Sequence, residues 1–389
     1  TLEAMARLGV AARARSKAKI VGVTGSVGKT TAKEMLRTML AASGLTHASA
    51  ASYNNHWGVP LSLARCPQSA KYAVFEIGMN HAGEITPLTR LVRPHVAIGT
   101  TIEPVHLEYF GSLEKIADAK AEIFAGIEPG GAGVLNRDNA QFGHLAAAAK
   151  AAGVTRIVSF GEDAQADARL SRYALHAECS TAEAEILGAH VTYKLGAPGR
   201  HLVQNSLAVL AAASLAGADL ALAALALNNL EPAAGRGTRI ALTVPGGKAL
   251  LIDESYNANP ASMRAAIALL GQSPVGPRGR RIAVLGDMLE LGGQGADLHR
   301  GLVTAITDAS VDLVFCSGPL MHALWEALPS GARGGYAETS AALEPAVLDA
   351  IRAGDAVMVK GSLGSKMGPI VKTLERQFAK QAVRDHARA

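Results

Sequence analysis

An α/β fold in two domains is predicted by three features of the sequence. From Lys19 onward, short runs of β-branched and apolar residues alternate with longer helical patterns, which is typical of βαβ units and a mostly parallel sheet. Several of these runs are apolar throughout, as strands covered on both faces are. The length of 389 residues exceeds what a single hydrophobic core usually supports, at roughly 100 to 200 residues per domain.

The predicted strands are apolar runs bounded by turn residues. They include residues 20–24, 73–77, 96–100, 156–160, 250–253, 282–285, 313–316 and 356–359. The alternation breaks at the Pro/Gly-rich string EPAAGRGTR, residues 231–239, and then begins again. We therefore predict a linker helix over 1–15 and a central domain over 16–238 with a doubly wound, mostly parallel sheet. A smaller Rossmann-like α/β domain over 239–389 is predicted to follow.

Composition excludes several classes of protein. With 49% hydrophobic and 18% charged residues, the chain can bury enough apolar surface to fold as a globular protein. A net charge of +5 and two Trp argue against a nucleic-acid interface, which would need a denser basic patch or an aromatic platform. Three widely spaced cysteines predict no disulfide framework and suit a cytoplasmic location. The longest apolar stretch, residues 207–227, contains Asp219 and predicts buried helices rather than a membrane span.

A phosphate-binding loop (P-loop) is predicted where the first strand, KIVGVT, runs into GSVGKTT and a helix. Gly25 and Gly28 let the backbone N–H groups turn toward phosphate oxygens at the helix N-terminus. Lys29 supplies a positive charge near the β- and γ-phosphates, and the Thr30 hydroxyl is a Mg²⁺ ligand in such loops. The GxxxxGK[ST] pattern has Val23 at its first glycine, so the loop is a variant.

Three further residues are candidate metal ligands. Glu76 ends the strand AVFEIG, on the ligand side of a parallel sheet; the alternative is a solvated strand-end carboxylate. Lys120 falls on the apolar stripe of a helix predicted from Ser112 to residue 127, where burial would lower its pKa and let the neutral amine form a carbamate with CO₂; the alternative is a lysine that snorkels to solvent. His106, in a loop after another strand, is either a third ligand or simply solvated.

Seven strings between residues 24 and 292 resemble the Mur ligase family, and in particular its D-alanyl-D-alanine-adding members. They are TGSVGKTT, SYNNHWGVPLSLAR, FEIGMNHAGEI, HLEYFGSLEKIADAKAEIF, GRHLVQNSLAV, DESYNANPASM and VLGDMLELG. The resemblance implies an ATP-dependent ligase of peptidoglycan precursor synthesis. Such an enzyme adds D-alanyl-D-alanine to UDP-N-acetylmuramoyl-tripeptide through an acyl phosphate, using ATP and two Mg²⁺ ions.

The same resemblance implies roles for individual residues. Lys29, Glu76, His106 and Lys120 would be catalytic, and Thr30, Glu76, His106 and carbamylated Lys120 would hold metal. The nucleotide would be bound by Thr24, Gly25, Ser26, Val27, Gly28, Lys29, Thr30, Thr31, Asn205, Arg236, Asp253, Asn257 and Asn259. The substrates would be contacted by Asn54, Asn55, Lys360 and Ser362.

Some expectations remain open at this point. Family members carry a small N-terminal domain that grips UDP, whereas this sequence begins about 20 residues before the P-loop, so we expect a truncated chain. We also expect a cytoplasmic monomer with small-molecule substrates and no nucleic-acid partner. A folylpolyglutamate synthase-like ligase is one alternative function. A P-loop nucleotide-binding regulator without ligase chemistry is another.

Overall fold

The computed structural model describes residues 1–50, 52–105 and 107–386, with side chains as far as residue 378. The chain divides into two compact units, Thr1–Glu231 and Pro232–Ala389. The division at residue 238 that the sequence predicts stays a prediction.

A mostly parallel sheet forms the centre of the first unit. Its strand order is β2-β3-β1-β4-β5-β6-β7-β8-β9, and only the pairs β7–β8 and β8–β9 among its described pairings are antiparallel. The strands are β1 (Lys19–Thr24), β2 (Thr46–Ala48), β3 (Tyr72–Glu76), β4 (Val96–Gly99), β5 (Ala132–Asn136), β6 (Arg156–Gly161), β7 (Ala168–Leu175), β8 (Ser180–Ile186) and β9 (Ala189–Leu195).

Helices connect these strands and cover the sheet. They are α1 (Leu2–Arg15), α2 (Lys29–Ala41), α3 (Gly58–Ala64), α4 (Ile85–Val92), α5 (Leu107–Phe110), α6 (Leu113–Ala121), α7 (Phe142–Ala151), α8 (Arg200–Leu215) and α9 (Leu220–Ala226), with 3₁₀ turns at Glu122–Gly126 and Leu227–Asn229.

Alternate residues of each central strand enter two separate cores, one on each face of the sheet. Val21 and Val23 of β1 pack with Met35 and Leu36 of α2 on one face. Ile20 packs on the other face, in the core that contains the apolar residues of α3, α4 and α6. This burial on both faces explains why the strands are apolar throughout.

The P-loop lies at a topological switch point. Strand β1 pairs with β3 on one side and with β4 on the other, both in parallel. The chain therefore leaves β1 toward one half of the sheet and later crosses to the other half. Crevices at the carboxyl ends of strands at such points are the usual ligand sites of open α/β sheets.

The second unit has its own α/β sheet, with the strand order β10-β11-β15-β12-β13-β14. Strands β10 and β11 are antiparallel, and the other described pairs are parallel. The strands are β10 (Thr238–Val244), β11 (Gly247–Glu254), β12 (Arg281–Gly286), β13 (Leu313–Ser317), β14 (Arg333–Ala337) and β15 (Ala356–Lys360). The helices are α10 (Pro260–Gln272), α11 (Gly295–Arg300), α12 (Leu302–Asp308), α13 (His322–Ala327), α14 (Ser340–Ala350) and α15 (Gly368–His386), with 3₁₀ turns at Gly292–Gln294, Ser330–Ala332 and Leu363–Ser365.

The predicted α/β fold with two parallel-rich sheets is confirmed, and each predicted strand is present. The single helix predicted from Ser112 to residue 127 is wrong in its extent, because the α-helix ends at Ala121 and a 3₁₀ turn follows. Leu113, an apolar residue at the start of this helix, is 36% exposed. The apolar stretch 207–227 forms parts of α8 and α9, and Asp219 caps α9 by accepting from the Leu222 N–H. No helix in the described part of the chain is both long enough and apolar enough to cross a membrane.

Candidate active site

The P-loop joins β1 to α2 with two glycines in conformations that favour glycine. Gly25 has φ = 141° and Gly28 has φ = 85°. A Cβ on Gly25 would collide with the Thr100 side chain, and a Cβ on Gly28 would lie 2.8 Å from Nδ2 of Asn205. Glycine is therefore needed both for backbone conformation and for close approach. The contact with Gly28 also places Asn205, predicted to bind nucleotide, against the loop.

Lys29 begins α2 and folds back over its own loop. Its Nζ donates to the carbonyl oxygens of Gly25 (2.7 Å) and Ser26 (3.2 Å). The ammonium therefore lies against the backbone of the loop, and loops of this shape bind anions. A phosphate group that enters has a positive charge already in place.

A buried carboxylate lies beside the first turn of α2. Glu76, the last residue of β3, is 1% exposed. One of its oxygens accepts from the Thr30 hydroxyl (2.8 Å) and the other from Nδ2 of Asn54 (2.7 Å). The structure thus brings together the two residues predicted to hold one Mg²⁺. Asn54 fixes the carboxylate of Glu76, an arrangement that typically tunes a metal ligand.

Lys120 is buried near the end of α6, with an exposure of 3%. Burial, and next the positive charge of Lys29, hold the pKa of the Lys120 amine well below its ordinary value. Glu122, Glu76 and Glu84 act in the opposite direction but do not cancel the effect. The neutral amine is favoured, and only that form reacts with CO₂. The snorkelling alternative is excluded by the burial.

The segment that leads to His106 is tied to the P-loop. The Ser26 hydroxyl donates to the Glu103 carbonyl (3.1 Å) and accepts from the Glu103 N–H (3.0 Å). The Thr100 hydroxyl donates to the Val27 carbonyl at 2.5 Å. Ser26 and Val27, both predicted to bind nucleotide, therefore also position this segment. His106 itself lies outside the described residues.

The other predicted residues of the P-loop and its surroundings have mixed environments. Thr31 lies half-buried in the first turn of α2. The Thr24 hydroxyl is buried and has no hydrogen-bond partner among the described residues, so it remains available to a bound ligand or water. Oδ1 of Asn55 accepts from the Gly58 N–H at 2.9 Å, which stabilises the start of α3. That bond leaves the predicted substrate contact of Asn55 to its amide nitrogen.

In the second unit, the predicted nucleotide residues lie around the end of β11. Oδ1 of Asp253 accepts from the N–H and the hydroxyl of Ser255. Asn257 is exposed, whereas Asn259 is 6% exposed and caps α10 by accepting from the Ser262 N–H. The cap fits the Asn-Pro sequence, since both residues favour helix starts.

Arg236 belongs to the second unit and stacks on an aromatic ring. Its guanidinium carbon lies 4.4 Å from the centre of the Tyr256 ring. The Tyr256 N–H donates to the Gly235 carbonyl (3.1 Å), which holds the two segments together. A cation fixed in this way is pre-organised for an anionic ligand.

Lys360 and Ser362 are buried, with exposures of 2% and 5%. Nζ of Lys360 donates to Glu254 (3.1 Å) and to the Asn257 carbonyl (3.0 Å). The Ser362 hydroxyl accepts from the Leu289 N–H and donates to the Ala258 carbonyl. Lys360 and Ser362 were predicted to contact substrate, but their polar side-chain atoms form hydrogen bonds with neighbouring loops.

The donor set of the first unit suits Mg²⁺, a hard cation that prefers oxygen ligands. Thr30 and Glu76 present a hydroxyl and a carboxylate at the P-loop. Among the described residues, no three His, Cys, Asp or Glu side chains form a metal-holding group. A carbamate on Lys120 would add the missing oxygen ligand near Glu76.

Sequence reasoning missed Lys33, which is fully buried on α2. Its Nζ donates to the Ser49 carbonyl (2.8 Å) and pairs with Glu34 (2.8 Å). It thereby anchors the segment that carries Ser52 and Asn54 to the P-loop helix. The signal was available, because Lys33 lies three and seven residues before the buried Leu36 and Leu40.

Comparison with known proteins agrees with this geometry. The protein-family model for the Mur ligase middle domain matches residues 23–213. The family model for the Mur ligase, glutamate ligase domain matches residues 236–363. The chain is 32% identical over 371 residues to the UDP-N-acetylmuramoyl-tripeptide–D-alanyl-D-alanine ligase of Rickettsia prowazekii, covering 95% of this chain and 81% of that protein.

Two further relatives support the same assignment. The ligase of the same name from Escherichia coli is 34% identical over 364 residues, covering 93% of this chain and 78% of that protein. A crystal structure of MurF from Acinetobacter baumannii superposes with a TM-score of 0.86 at 30% identity, covering 97% of this chain and 81% of that one. On this similarity, and with the P-loop, Glu76 and Lys120 in one site, the chain belongs to the Mur ligase family.

Proposed function

We propose that this protein is an ATP-dependent ligase that adds D-alanyl-D-alanine to UDP-N-acetylmuramoyl-tripeptide, the reaction after which its relatives are named. The observation that carries the proposal is the buried Lys120, whose lowered pKa arises from burial and from Lys29. A nucleotide switch needs a P-loop but has no use for a neutral buried lysine beside it.

The reaction must activate a carboxylate before an amine can attack it. A carboxylate oxygen of the tripeptide attacks the γ-phosphorus of ATP, and the bond from that phosphorus to the bridging oxygen of ADP breaks. The amine of D-alanyl-D-alanine then attacks the acyl carbon. The carbon–oxygen bond to phosphate breaks, and the nitrogen loses a proton as the amide forms.

Residues of the P-loop stabilise the charge that moves in the first step. Lys29 exchanges the carbonyl oxygens of Gly25 and Ser26 for the γ-phosphate. In the structure these carbonyls accept from Lys29 at 2.7 and 3.2 Å. Asn205, next to Gly28, contacts the nucleotide from the same unit.

We further propose that Thr30 and Glu76 hold one Mg²⁺, and that Glu76, His106 and carbamylated Lys120 hold a second. When bound, these ions supply charge neutralisation on the phosphates and the acceptor carboxylate. The carbamate forms when the neutral Lys120 nitrogen bonds to the carbon of CO₂ and releases a proton. The new carboxylate is anionic at neutral pH, which suits a position near Lys29.

Other predicted assignments remain part of this proposal. Arg236, Asp253, Asn257 and Asn259 would bind nucleotide, and Asn54 and Asn55 would face the muramoyl substrate. The domain limits 1–15, 16–238 and 239–389, the monomeric state and the cytoplasmic location are proposed on the same basis.

Release of ADP tests the function directly. The protein is mixed with ATP, Mg²⁺ and UDP-N-acetylmuramoyl-tripeptide, and ADP is measured with and without D-alanyl-D-alanine. We expect turnover that depends on the dipeptide. Turnover with a folate and glutamate in place of these substrates would favour the folylpolyglutamate synthase-like alternative. ATP binding without turnover on any acceptor would favour the regulator.

A further inference from the structure

Three segments meet at the carboxyl edge of the second sheet, where β15 lies between β11 and β12. We call them the nucleotide segment (residues 254–259, at the end of β11), the middle segment (287–291, after β12) and the clip (360–365, at the end of β15). Asn257 and Asn259, predicted to bind nucleotide, belong to the nucleotide segment. Because β15 is the central strand of the three, its end reaches both neighbours.

Lys360 connects the clip to the nucleotide segment. Its ammonium is buried and pairs with Glu254, whose side chain is 15% exposed. The same nitrogen donates to the Asn257 carbonyl at 3.0 Å. One side chain therefore holds the first residue of the nucleotide segment and the backbone of the residue predicted to bind nucleotide. A charged donor makes such bonds stronger than neutral ones.

Ser362 connects all three segments. Its N–H donates to the Asp287 carbonyl (3.0 Å). Its hydroxyl accepts from the Leu289 N–H (3.0 Å) and donates to the Ala258 carbonyl (3.3 Å). Both hydrogen-bonding roles of this hydroxyl are thus used within the protein.

The middle segment is a firm anchor for these contacts. The Met288 N–H donates to Nε2 of His299, a fully buried side chain whose Nδ1 bonds to the Gly295 carbonyl. The Asp287 carboxylate accepts from the N–H groups of Leu320 and Met321. Partners from two other parts of the chain therefore hold the middle segment in place.

We propose that Lys360 and Ser362 are positioning residues: they hold the nucleotide segment in a fixed arrangement against the middle segment and do not contact the incoming dipeptide. Their burial and their engaged polar atoms carry this inference, which rests on the proposed function for its kinetic consequences only. The clip acts on the ligand through Asn257 and its neighbours.

Hydrogen exchange of the free protein tests the structural part. In Ser362→Ala the Leu289 amide loses its acceptor, and we expect its exchange to quicken by roughly fivefold or more, the size expected for one hydrogen bond. Ser365→Ala is the matched control, because that hydroxyl donates to the Ser362 carbonyl at 2.6 Å and its loss leaves the Leu289 bond intact. Equal exchange at Leu289 in wild type and Ser362→Ala would overturn the proposal.

Steady-state kinetics of the full protein test the functional part. We expect Ser362→Ala to raise KM for ATP by roughly three- to tenfold, the effect of one lost hydrogen bond, with KM for D-alanyl-D-alanine unchanged. A raised KM for the dipeptide alone would overturn the proposal and establish direct contact.

A second variant guards against failure to fold. Lys360→Met alone would leave Glu254 unpaired, so it is combined with Glu254→Gln, which removes both charges. The double variant should show the same rise in KM for ATP and faster exchange over residues 254–259; if both stay at wild-type values, Lys360 is not a positioning residue. Should the wild type show no dipeptide-dependent ADP release, the proposed function fails, while the exchange experiment still decides the role of Ser362.

Discussion

Two lysines are buried on opposite faces of the first sheet, and their surroundings differ. Lys33 lies on α2, whose apolar residues belong to one core, and Lys120 lies on α6, whose apolar residues belong to the other. Lys33 meets a carboxylate, Glu34, and the Ser49 carbonyl. Lys120 lies near another cation, Lys29, and burial lowers its pKa strongly.

The difference shows how the partner of a buried lysine determines what the lysine can do. A lysine that forms an ion pair with a carboxylate and a hydrogen bond with a carbonyl holds two segments of the chain together. Burial and a nearby like charge disfavour the charged form of an amine, and the neutral form that they favour is the nucleophile. Burial alone therefore does not identify a reactive lysine.

The largest expected effect is on turnover. Lys120→Ala removes the carbamate, and we expect kcat to fall about 10²- to 10³-fold, the usual loss for one group that stabilises transition-state charge. Nucleotide binding should persist, because the P-loop is untouched. Short carboxylates such as acetate should restore part of the activity of Lys120→Ala and none of that of Lys29→Ala. Unchanged turnover in Lys120→Ala would assign Lys120 to the same structural class as Lys33.

The next effect concerns the carboxylate beside Lys120. Asn54→Ala removes the amide that holds one oxygen of Glu76. We expect the Mg²⁺ concentration for half-maximal turnover to rise about 10- to 100-fold, as for other partners of metal ligands. Asn55→Ala is the control, since its Oδ1 bonds to Gly58 rather than to Glu76. An equal Mg²⁺ requirement in both variants would show that Asn54 does not support the metal site.

Lys33 should affect stability more than chemistry. Lys33→Met leaves the Ser49 carbonyl without this donor, and we expect a loss of about 1 to 3 kcal/mol in the free energy of unfolding of the first unit. Arg37→Met removes the other partner of Glu34, but the Arg37 side chain is 56% exposed, so the loss should stay below about 1 kcal/mol. Urea unfolding of both variants measures these losses. Equal losses in the free energy of unfolding would contradict the structural role described for Lys33.

The smallest expected effect is a pH dependence of stability that arises from Glu34, the partner of Lys33. Burial alone would raise the pKa of Glu34, but hydrogen bonds from Lys33 and Arg37 hold it below its ordinary value of 4.5. The folded state thus favours the carboxylate, so this contribution to stability is present above pH 4.5 and is lost as pH falls through the lowered value. The unfolding midpoint of wild type should exceed that of Glu34→Gln at pH 7, and this difference should narrow as the pH falls below 4.5. A difference in unfolding midpoint that does not change with pH would mean that the charge of Glu34 makes no net contribution to stability.

The sequence predicted what local patterns determine. Apolar runs located β1, β3, β4 and β6 of the first sheet but not β2 or β5. The offset of Lys120 from the apolar residues of its helix placed it on the apolar stripe, where burial and snorkelling were both open, and the structure shows it buried. The antiparallel strands β7 to β9 were missed because polar residues interrupt every apolar run in them, as in STAEAEI, where two of the buried positions are alanine. Periodicity in hydrophobicity is weak where the buried residues are small.

The remaining part of the site depends on distant partners. Ser26 and Glu103 lie 77 residues apart in the chain, and Lys360 and Glu254 lie 106 apart. No local pattern specifies which segments the topology will bring together. For this reason the sequence identified Ser26, Asn54, Lys360 and Ser362 as residues of interest without showing the hydrogen bonds that they make.

The carbamate on Lys120 is the central claim, and carbon-13 NMR tests it most directly. The protein is equilibrated with ¹³C-bicarbonate at neutral to mildly alkaline pH, and the spectrum is compared with those of Lys120→Ala and Lys33→Met. We predict a carbamate carbon signal in wild type and in Lys33→Met that is absent from Lys120→Ala. A wild-type spectrum without that signal, or a signal that survives in Lys120→Ala, would contradict the account.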